Sequence, residues 1–329
     1  MNWDSLNWST LDRLRRGFLE GTAGRRDYWQ SEDDLAAYDL TFARRIGWKW
    51  DYVLADIARL GWRPPAGAVT DWACGTGVAG RTFLRHFGDS GVSELVISDR
   101  SRLAMDFALK EAQAAYPSLP VRCDARGAVS GGTLLVSHVL GELGRAERES
   151  LLAQASAATS ILWVEPGAYE MGRALVAAVR EVLRGSFGIV APCTHQEVCG
   201  LLVPENERAW CHHFAPSPPE VYMDGRWARF AKMAGIDLRS LPLSYLVLDK
   251  RPMPALPAGA VRLIGRPRLQ KAHALLFVCD ATGVREKRMA KRRFPAEFRQ
   301  CKREAMDALQ VLAYEGNEIT KVSARPTGT

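Results

Sequence analysis

The sequence lacks several features that would assign it to a membrane or secreted class of protein. No apolar run approaches the ~18 residues needed to span a bilayer. The N-terminus has no signal-peptide core, and the early acids Asp4, Asp12 and Glu20 argue against a transit peptide. We therefore expect a cytoplasmic protein that does not enter a membrane. In that reducing compartment the 7 cysteines, an odd number, are expected to be thiols or metal ligands rather than disulfides.

The composition is that of a globular protein with a basic balance. The chain has 329 residues, of which 47% are hydrophobic and 25% charged, enough for one large domain or two smaller ones. The formal net charge is +7 and the pI is about 9.1, which suits an anionic partner but says nothing about the fold.

A glycine-containing turn over residues 69–80 organises the first half of the chain. Residues 66–71 are predicted to form a strand and residues 78–86 a helix, with Gly75 and Gly77 in the turn between them. Glycine allows tight backbone angles and close approach of a ligand, and the helix start offers free N–H groups. This pattern predicts a nucleotide-type site.

Four further strands are predicted after this turn, with helical stretches between them. They cover residues 94–99, 121–124, 134–138 and 161–167. This alternation predicts an α/β fold with a doubly wound parallel sheet. Asp99 lies 19 residues after Gly80, the separation at which an acid reaches the ribose hydroxyls of a bound nucleotide.

The segment from Asp71 through Cys74, Gly75, Thr76 and Gly77 resembles the first motif of class I S-adenosylmethionine-dependent methyltransferases. Ala73 stands where that family more often has a glycine. The candidate cofactor-binding residues are Asp71, Cys74, Gly75, Gly77, Asp99 and Asp124. The resemblance implies that Asp71 and the glycine backbone face the amino-acid end of the cofactor, that Asp99 holds its ribose and that Asp124 lies near its adenine. NAD is the alternative ligand, because Gly75, Gly77 and Gly80 also satisfy the G-x-G-x-x-G spacing.

The segment after the fourth strand carries no recognisable methyltransferase catalytic motif. It has neither the Asn/Asp-Pro-Pro-aromatic motif of amino-directed enzymes nor the Pro-Cys segment of cytosine-directed ones. His138 and Glu142 are weak candidates for a catalytic base. The sequence therefore leaves open whether the chain is an active enzyme.

A cysteine- and histidine-rich segment predicts a metal site. Three cysteines and three histidines fall within 21 residues: Cys193, Cys199 and Cys211, and His195, His212 and His213. The spacing matches no zinc finger or ribbon, whereas iron–sulfur clusters are held by thiolates at more variable spacings. The fourth ligand is left open among Cys279, Cys301 and His195, and zinc remains the alternative metal.

The chain also resembles the methyltransferase-like family of the small ribosomal subunit, whose mitochondrial members include methyltransferase-like protein seventeen. The resemblance covers roughly residues 40–285 and rests on the glycine turn and the segments at 165–167, 192–199, 210–214, 244–248, 262–267 and 279–283. The family implies a 4Fe-4S cluster held by Cys193, Cys199, Cys211 and Cys279. It also implies binding of small-subunit ribosomal RNA, or of a ribosome precursor, during assembly. No DNA partner is expected.

Residues 285–303 carry nine basic side chains opposed by Glu286 and Glu297. Such a face suits phosphate contacts, and the interleaved Phe294 and Phe298 suit base stacking. The candidate RNA-binding residues are Arg288, Lys291, Arg292 and Arg293.

The predicted organisation has five segments. They are an N-terminal helical region (1–60), an S-adenosylmethionine-binding Rossmann-like domain (61–190), a Cys/His-rich insertion (191–225), the remaining strands of the same sheet (226–284) and a basic C-terminal extension (285–329). In the fourth segment a helix is predicted to end at Gly235, and strands are predicted at 243–249, 261–266 and 274–279. Three functions remain open: an RNA-binding assembly factor with an iron–sulfur cluster, an active rRNA methyltransferase, and a zinc-containing methyltransferase acting on a small molecule or protein.

Overall fold

A computed structural model describes residues 3–19, 28–253 and 255–323. Residues 20–27 of the predicted helical region and residues 324–329 of the predicted extension lie outside the described residues. Within the described ranges, no helix combines the length and the apolar character needed to cross a bilayer.

The α-helices follow the chain in this order: α1 (Trp8–Leu19), α2 (Glu32–Tyr38), α3 (Arg44–Arg59), α4 (Val78–Phe87), α5 (Arg102–Ala115), α6 (Arg145–Ala155), α7 (Tyr169–Ala174), α8 (Glu181–Leu183), α9 (Glu220–Met223), α10 (Gly225–Ala234) and α11 (Pro295–Lys302). Single π-helical segments precede α3 (Asp39–Ala43) and α8 (Leu175–Arg180).

The strands are β1 (Gly67–Trp72), β2 (Val92–Ser98), β3 (Val121–Cys123), β4 (Thr133–Ser137), β5 (Ser160–Pro166), β6 (Gly188–Ala191), β7 (His213–Ala215), β8 (Leu241–Asp249), β9 (Ala260–Leu263), β10 (Arg268–Leu269), β11 (His273–Asp280), β12 (Gly283–Ala290), β13 (Leu309–Glu315) and β14 (Glu318–Ser323).

The chain divides into two compact units. The first holds the described residues up to Ala58 together with Arg63–Glu165 and Ala215–Leu241. Its strands are parallel and run in the order β3-β2-β1-β4-β5. The predicted α/β doubly wound sheet is confirmed. Because the order reverses between β1 and β4, the crevice at the carboxyl ends of these two strands is the topological switch point, where ligands bind in such sheets.

The strands of the first unit form because short apolar runs can be buried on both faces of the sheet. Leu134, Leu135 and Val136 of β4 are fully buried, as are Ile161 and Leu162 of β5. Each run ends in polar residues at the carboxyl edge, which brings the acids predicted at strand ends to one edge of the sheet.

The N-terminal helices pack through aromatic side chains, as expected for core rather than ligand-binding residues. Trp48 contacts Trp227 of α10 with ring centroids 4.9 Å apart, and Phe42 contacts Phe230 at 5.0 Å. The indole N–H of Trp50 donates to Ser137 Oγ at 2.9 Å, which attaches α3 to the end of β4.

The second unit holds Arg59–Trp62, Pro166–Phe214 and the chain from Pro242 onward. Here β8 pairs antiparallel with β6, and β7 also pairs with β8. The predicted strand at 243–249 is therefore present as β8.

The remaining strands of the second unit form a separate sheet, so the expectation that residues 261–266 and 274–279 extend the first sheet is wrong. The order is β10-β11-β12-β14-β13-β9, and β9 also pairs with β11, which closes the sheet on itself. Strand periodicity predicts that a segment pairs but not with which partner, and only the closed register buries one face of all of these strands.

Residues 285–323 are part of this closed sheet rather than an appended extension. They supply β12, α11, β13 and β14. The core of the sheet buries Leu276, Met289, Leu312 and Ile319, which come from four different strands. Removal of the basic segment would therefore expose this core.

Candidate cofactor site and cysteine centre

The turn between β1 and α4 has the left-handed backbone that its glycines predict. Gly75 has φ +52° and Gly77 has φ +76°, and the N–H of Gly77 donates to the Cys74 carbonyl at 2.8 Å. Gly77 caps the start of α4, and a Cβ at this position would lie 3.0 Å from Ala108 Cβ. Ala73 is also left-handed, at φ +53°, which is a strained angle for a residue with a side chain.

Asp71 lies at the end of β1 with 1% of its surface exposed. Its Oδ2 accepts a hydrogen bond from Gly80 N at 2.8 Å, and a Cβ on Gly80 would lie 2.9 Å from that oxygen. Burial raises the pKa of Asp71 to about 7, against the opposing effect of the Gly80 N–H. Asp71 Oδ1 and Thr76 Oγ1 are buried without a partner among the described residues, so both are available to a ligand or to water.

Asp99, just after β2, holds the glycine turn in place. Its Oδ2 accepts from Gly75 N and its Oδ1 from Ser101 N, both at 2.9 Å. A carboxylate oxygen has two lone pairs and can accept more than one hydrogen bond. Asp124 follows β3 and accepts from Arg126 N at 3.0 Å and from Arg122 at 3.4 Å. The three acids thus lie at the carboxyl ends of three adjacent parallel strands.

The N-terminal region and α4 bring further groups to this edge that no sequence pattern indicates. Arg81 donates to the Thr76 carbonyl at 2.5 Å and pairs with Asp39 at 2.6 Å, which fixes the turn from the side of the N-terminal helices. The pKa of Tyr28 is raised by burial and by Glu142. The aromatic pattern indicated core packing, and nothing in the sequence shows that Tyr28 packs near an acid 114 residues later.

Glu142 lies near Asp99 in the same crevice. Burial raises its pKa, Arg100 opposes this effect, and the neighbouring charge of Asp99 adds to it. The Arg100 guanidinium is 3.8 Å from Glu142 Oε2. Glu142 is thus a half-buried acid beside the predicted cofactor residues.

His138 follows β4 with a left-handed backbone (φ +54°), and its N–H donates to the Val164 carbonyl at 2.8 Å. Its Nε2 is buried and has no partner in the described part of the chain. Burial, Lys49 and Arg45 all lower its pKa below the ordinary value of 6.5. The imidazole is therefore neutral at neutral pH, and burial and the two cations disfavour its protonated form.

Glu165, at the end of β5, positions the loop that carries His138. Its Oε1 accepts from Val139 N at 3.2 Å, Leu140 N at 3.0 Å and Trp163 Nε1 at 2.7 Å. Burial raises the pKa of Glu165 to about 7, with these donors and Lys49 opposing the rise. From the sequence, Glu165 enters only as part of the 165–167 segment of the family resemblance. The burial of Lys49 was not predicted, because a charge inside a helix ordinarily indicates a solvated face.

In the second unit, four cysteines line a single cavity of about 20 Å³: Cys193, Cys199, Cys211 and Cys279. They come from the segment after β6, the start of a 3-10 turn, the segment before β7 and strand β11. Cys301 lies elsewhere, in α11, with its Sγ 3.2 Å from Met306 Sδ in the core of the closed sheet. The structure thus brings together the four cysteines named by the family resemblance and leaves Cys301 apart.

Nitrogen groups contact three of these sulfurs. Arg180 Nε donates to Cys193 Sγ at 3.2 Å, and its side chain is only 2% exposed. His195 Nε2 is 3.7 Å from Cys279 Sγ, and His213 Nε2 is 3.7 Å from Cys211 Sγ. His195 is therefore placed as a neighbour of a cysteine rather than as one of the four groups around the cavity.

Burial and mutual proximity raise the pKa values of these thiols. The pKa of Cys199 rises to about 11, first through burial and then through Cys193. Burial and the other cysteines of the cavity also raise the pKa values of Cys211 and Cys279 above the ordinary value of 9.0. Because a metal binds the thiolate, it would have to displace protons from these groups.

Thiolates are ligands of zinc as well as of iron–sulfur clusters, so the four cysteines suit either centre. Among the described residues, no group of three His, Cys, Asp or Glu side chains is arranged to hold one metal ion. Tetrahedral zinc binds all of its sulfur ligands at ~2.3 Å, whereas in a cluster each thiolate binds a different iron.

The predicted RNA-binding residues lie at one end of β12. Arg288 pairs with Glu318 of β14 at 2.7 Å, and Lys291, Arg292 and Arg293 are exposed in the turn before α11. The base-stacking role predicted for Phe298 is contradicted, because its ring is 7% exposed and packs in the core of the closed sheet.

These features define an α/β protein with a glycine-turn crevice in one unit and a four-cysteine cavity in the other. The family profile described as mitochondrial small ribosomal subunit Rsm22 matches residues 101–308, more than half of the chain. The chain therefore belongs to the Rsm22 family, and the family resemblance found from the sequence is confirmed. The match includes the four cysteines and the basic segment but begins after the glycine turn.

No curated protein matches the chain. Among solved structures, it is similar to a candidate RNA methyltransferase from Pyrococcus horikoshii, at 14% identity over 64% of this chain and 83% of that one, with a TM-score of 0.37. It is also similar to an S-adenosylmethionine-dependent methyltransferase from Aquifex aeolicus, at 11% identity over 49% and 90% of the two chains, with a TM-score of 0.36. A third is the [4+2]-cyclase SpnF, at 12% identity over 62% and 82%, with a TM-score of 0.36.

Proposed function

We propose that this protein is an rRNA-binding factor for assembly or translation of the small ribosomal subunit that binds S-adenosylmethionine and a 4Fe-4S cluster. One observation carries the proposal: four cysteines from distant parts of the chain line one cavity. Thiolates are the ligands of such clusters. Membership of a small-subunit family supplies the expected partner, ribosomal RNA or a ribosome precursor.

Cys193, Cys199, Cys211 and Cys279 would hold the cluster. When bound, a 4Fe-4S cluster supplies a redox-active anionic centre that joins otherwise separate segments of the chain. Its position supports a structural role, because its four ligands would tie β11 to the chain between β6 and β7. Zinc remains the alternative metal for the same thiols.

S-adenosylmethionine would bind at the switch point between β1 and β4. Asp71, Cys74, Gly75 and Gly77 would surround its amino-acid end, Asp99 its ribose and Asp124 its adenine. The unpartnered Asp71 Oδ1 and Thr76 Oγ1 support a ligand there, because buried polar atoms ordinarily have partners. A bound cofactor offers a methyl group already activated by its sulfonium.

An active rRNA methyltransferase is the second candidate, and His138 is the observation that favours it. A neutral imidazole with an unpartnered Nε2 could form a hydrogen bond with a target group and orient it. Glu142 lies beside Asp99 and could orient such a target. Positioning alone accelerates transfer from an activated donor, so these residues need not be essential.

Three measurements test the proposal. Anaerobic reconstitution followed by iron and sulfide analysis should give a brown protein with iron and sulfide in equal amounts. A colourless protein with stoichiometric zinc would contradict the cluster.

Calorimetry should show that Asp99→Ala weakens S-adenosylmethionine binding, and an unchanged affinity would reject the ribose assignment. Tritium transfer from the labelled cofactor to small-subunit RNA, compared with His138→Ala, separates the enzyme from the non-catalytic factor.

A further inference from the structure

The closed sheet of the second unit has the topology of a known ligand-binding barrel. Its five main strands, in chain order, are β9, β11, β12, β13 and β14, which we number 1 to 5. Around the ring they pair in the order 1-2-3-5-4-1. The third and fifth strands are parallel and the other pairs are antiparallel, and α11 lies between the third and fourth strands. This is the five-stranded Greek-key barrel of the OB-fold.

OB-fold barrels bind oligonucleotides or oligosaccharides on the face of their second and third strands and on the adjoining loops. Here these strands are β11 and β12. Ala274, Leu276 and Val278 are buried in the barrel core, so the alternate residues Leu275 and Phe277 face outward and are half-buried. Phe277 packs against the cluster around the cysteine cavity, which leaves Leu275 on the open part of the face. Pairing places Leu275 opposite Arg288 and Phe277 opposite Glu286.

One end of this face is covered by the second unit itself. At Gly200 a Cβ would lie 2.8 Å from Gly283 Cα, and Asn206 donates to the Val284 carbonyl at 3.3 Å. Cys279 faces the cysteine cavity at this covered end. His273, six residues earlier on β11, lies about 20 Å away at ~3.4 Å per residue. A ligand on the open end would therefore not contact the cysteines.

The open end carries a cluster of basic side chains that we name the basic barrel end. Its members are Arg268, Lys271, Arg288, Lys291, Arg292 and Arg293. Two backbone hydrogen bonds bring their loops together: Lys291 N donates to the Ala272 carbonyl at 2.9 Å, and Arg288 N donates to the Asn317 carbonyl at 2.7 Å. The connections β9–β11, β12–α11 and β13–β14 thus meet around the outer face of β11 and β12.

The acids at this end do not prevent phosphate binding. Arg268 pairs with Glu286 and Arg288 pairs with Glu318, but all four side chains are at least 41% exposed. Exposed ion pairs contribute at most ~1 kcal/mol, so phosphate can replace either carboxylate. Lys291, Arg292 and Arg293 add three exposed cations with no acid within the same turn.

We infer that the basic barrel end is a binding surface for single-stranded RNA. The inference rests on the proposed function and specifies where the RNA binds and in which form. The cations would follow the phosphate backbone, as in other single-strand binders, and the half-buried Leu275 would contact unstacked bases. An uncharged oligosaccharide would use none of the six cations.

Fluorescence anisotropy on the full chain tests this, with a labelled single-stranded RNA of about 12 nucleotides as the probe and a duplex of the same length as competitor. Two variants remove equal charge from neighbouring segments of the barrel. The turn variant is Lys291→Ala/Arg292→Ala/Arg293→Ala in the basic barrel end, and the α11 variant is Arg299→Ala/Lys302→Ala/Arg303→Ala on α11 and its C-cap. All six side chains are exposed, so both variants should unfold at the wild-type temperature.

The turn variant should bind the single strand about tenfold to 100-fold more weakly, and its log–log salt slope should fall by about 2, because each lost phosphate contact removes ~0.7. The α11 variant should bind within a factor of about two of the wild-type affinity, and the duplex should compete poorly. Equal weakening by both variants, or a preference for duplex, would overturn the inference while leaving RNA binding intact. Wild-type protein that binds neither RNA would overturn both this inference and the RNA part of the proposed function.

Discussion

Glu165→Gln should change how the stability of the first unit depends on pH. The side chain is 1% exposed, and its Oε1 accepts three hydrogen bonds from the loop after β4 and from Trp163. Glutamine keeps a carbonyl oxygen that can accept these bonds, but it cannot ionise. The substitution therefore isolates the free energy of ionising a buried carboxyl group.

The magnitude follows from the pKa difference between the two states. Burial raises the pKa of Glu165 from an ordinary 4.5 to about 7, so between these values the folded protein holds a proton that the unfolded chain has lost. The contribution of this group to stability is therefore complete below about pH 4.5, falls as the pH rises to about 7, and stays low above it. At 1.36 kcal/mol per pKa unit the loss is about 3 kcal/mol.

Urea unfolding of both proteins at several pH values between 4.5 and 8 measures this loss. The free energy of unfolding of the variant, relative to wild type, should increase by about 3 kcal/mol across that range. Glu149→Gln is the control, because Glu149 is an exposed residue of α6 that pairs with Arg145. A relative stability of Glu165→Gln that does not change with pH would show that folding does not raise the pKa of Glu165.

Three further substitutions test separate parts of the molecule. Ala73→Gly should stabilise the protein by about 1 kcal/mol, because it relieves a left-handed angle that costs a residue with a side chain ~1–2 kcal/mol; thermal or urea unfolding measures this. Cys279→Ser should lower the iron content after reconstitution, whereas Cys301→Ser should retain it, because only Cys279 lines the cysteine cavity. Arg180→Met should shift the midpoint potential of a bound cluster to more negative values, because the guanidinium at Cys193 stabilises added negative charge.

Each of these has a matched control. Ala79→Gly, inside α4, should destabilise the protein, and a similar loss for Ala73→Gly would refute the strain argument. Iron loss in both cysteine variants would mean that Cys301 is also required. Arg184→Met removes a cation that pairs with the same Glu181 as Arg180 does. If both arginine variants shift the potential equally, the effect comes from general charge rather than from the contact with Cys193.

The first sheet could be predicted from the sequence because its strands are short apolar runs that end in polar residues. Residues 94–99 and 134–138 were predicted and correspond to β2 (Val92–Ser98) and β4 (Thr133–Ser137). The glycine turn was also predictable, since left-handed angles at Gly75 and Gly77 depend on the local backbone. The helix stop at Gly235 follows the same rule, with φ +58°.

The second sheet was assigned wrongly for the opposite reason. β9 and β11 have the periodicity of strands, yet their partners, β12, β13 and β14, are set by which register buries Leu276 and Met289 together. The charges of residues 285–303 indicated a solvated segment, although alternate positions of β12 face the barrel core. Charge patterning alone could not show that Lys287 is buried at 3% exposure.

The sequence by itself determined the glycine turn, the acids at the strand ends and the set of cysteines, because these are properties of residue types at short spacing. Tertiary structure decided that Cys279 rather than Cys301 lies with Cys193, that Lys49 and Glu165 are buried together, and that the basic residues surround one end of a closed barrel. These outcomes depend on contacts between segments far apart in the chain, where burial and pairing, rather than local preference, determine which side chains meet.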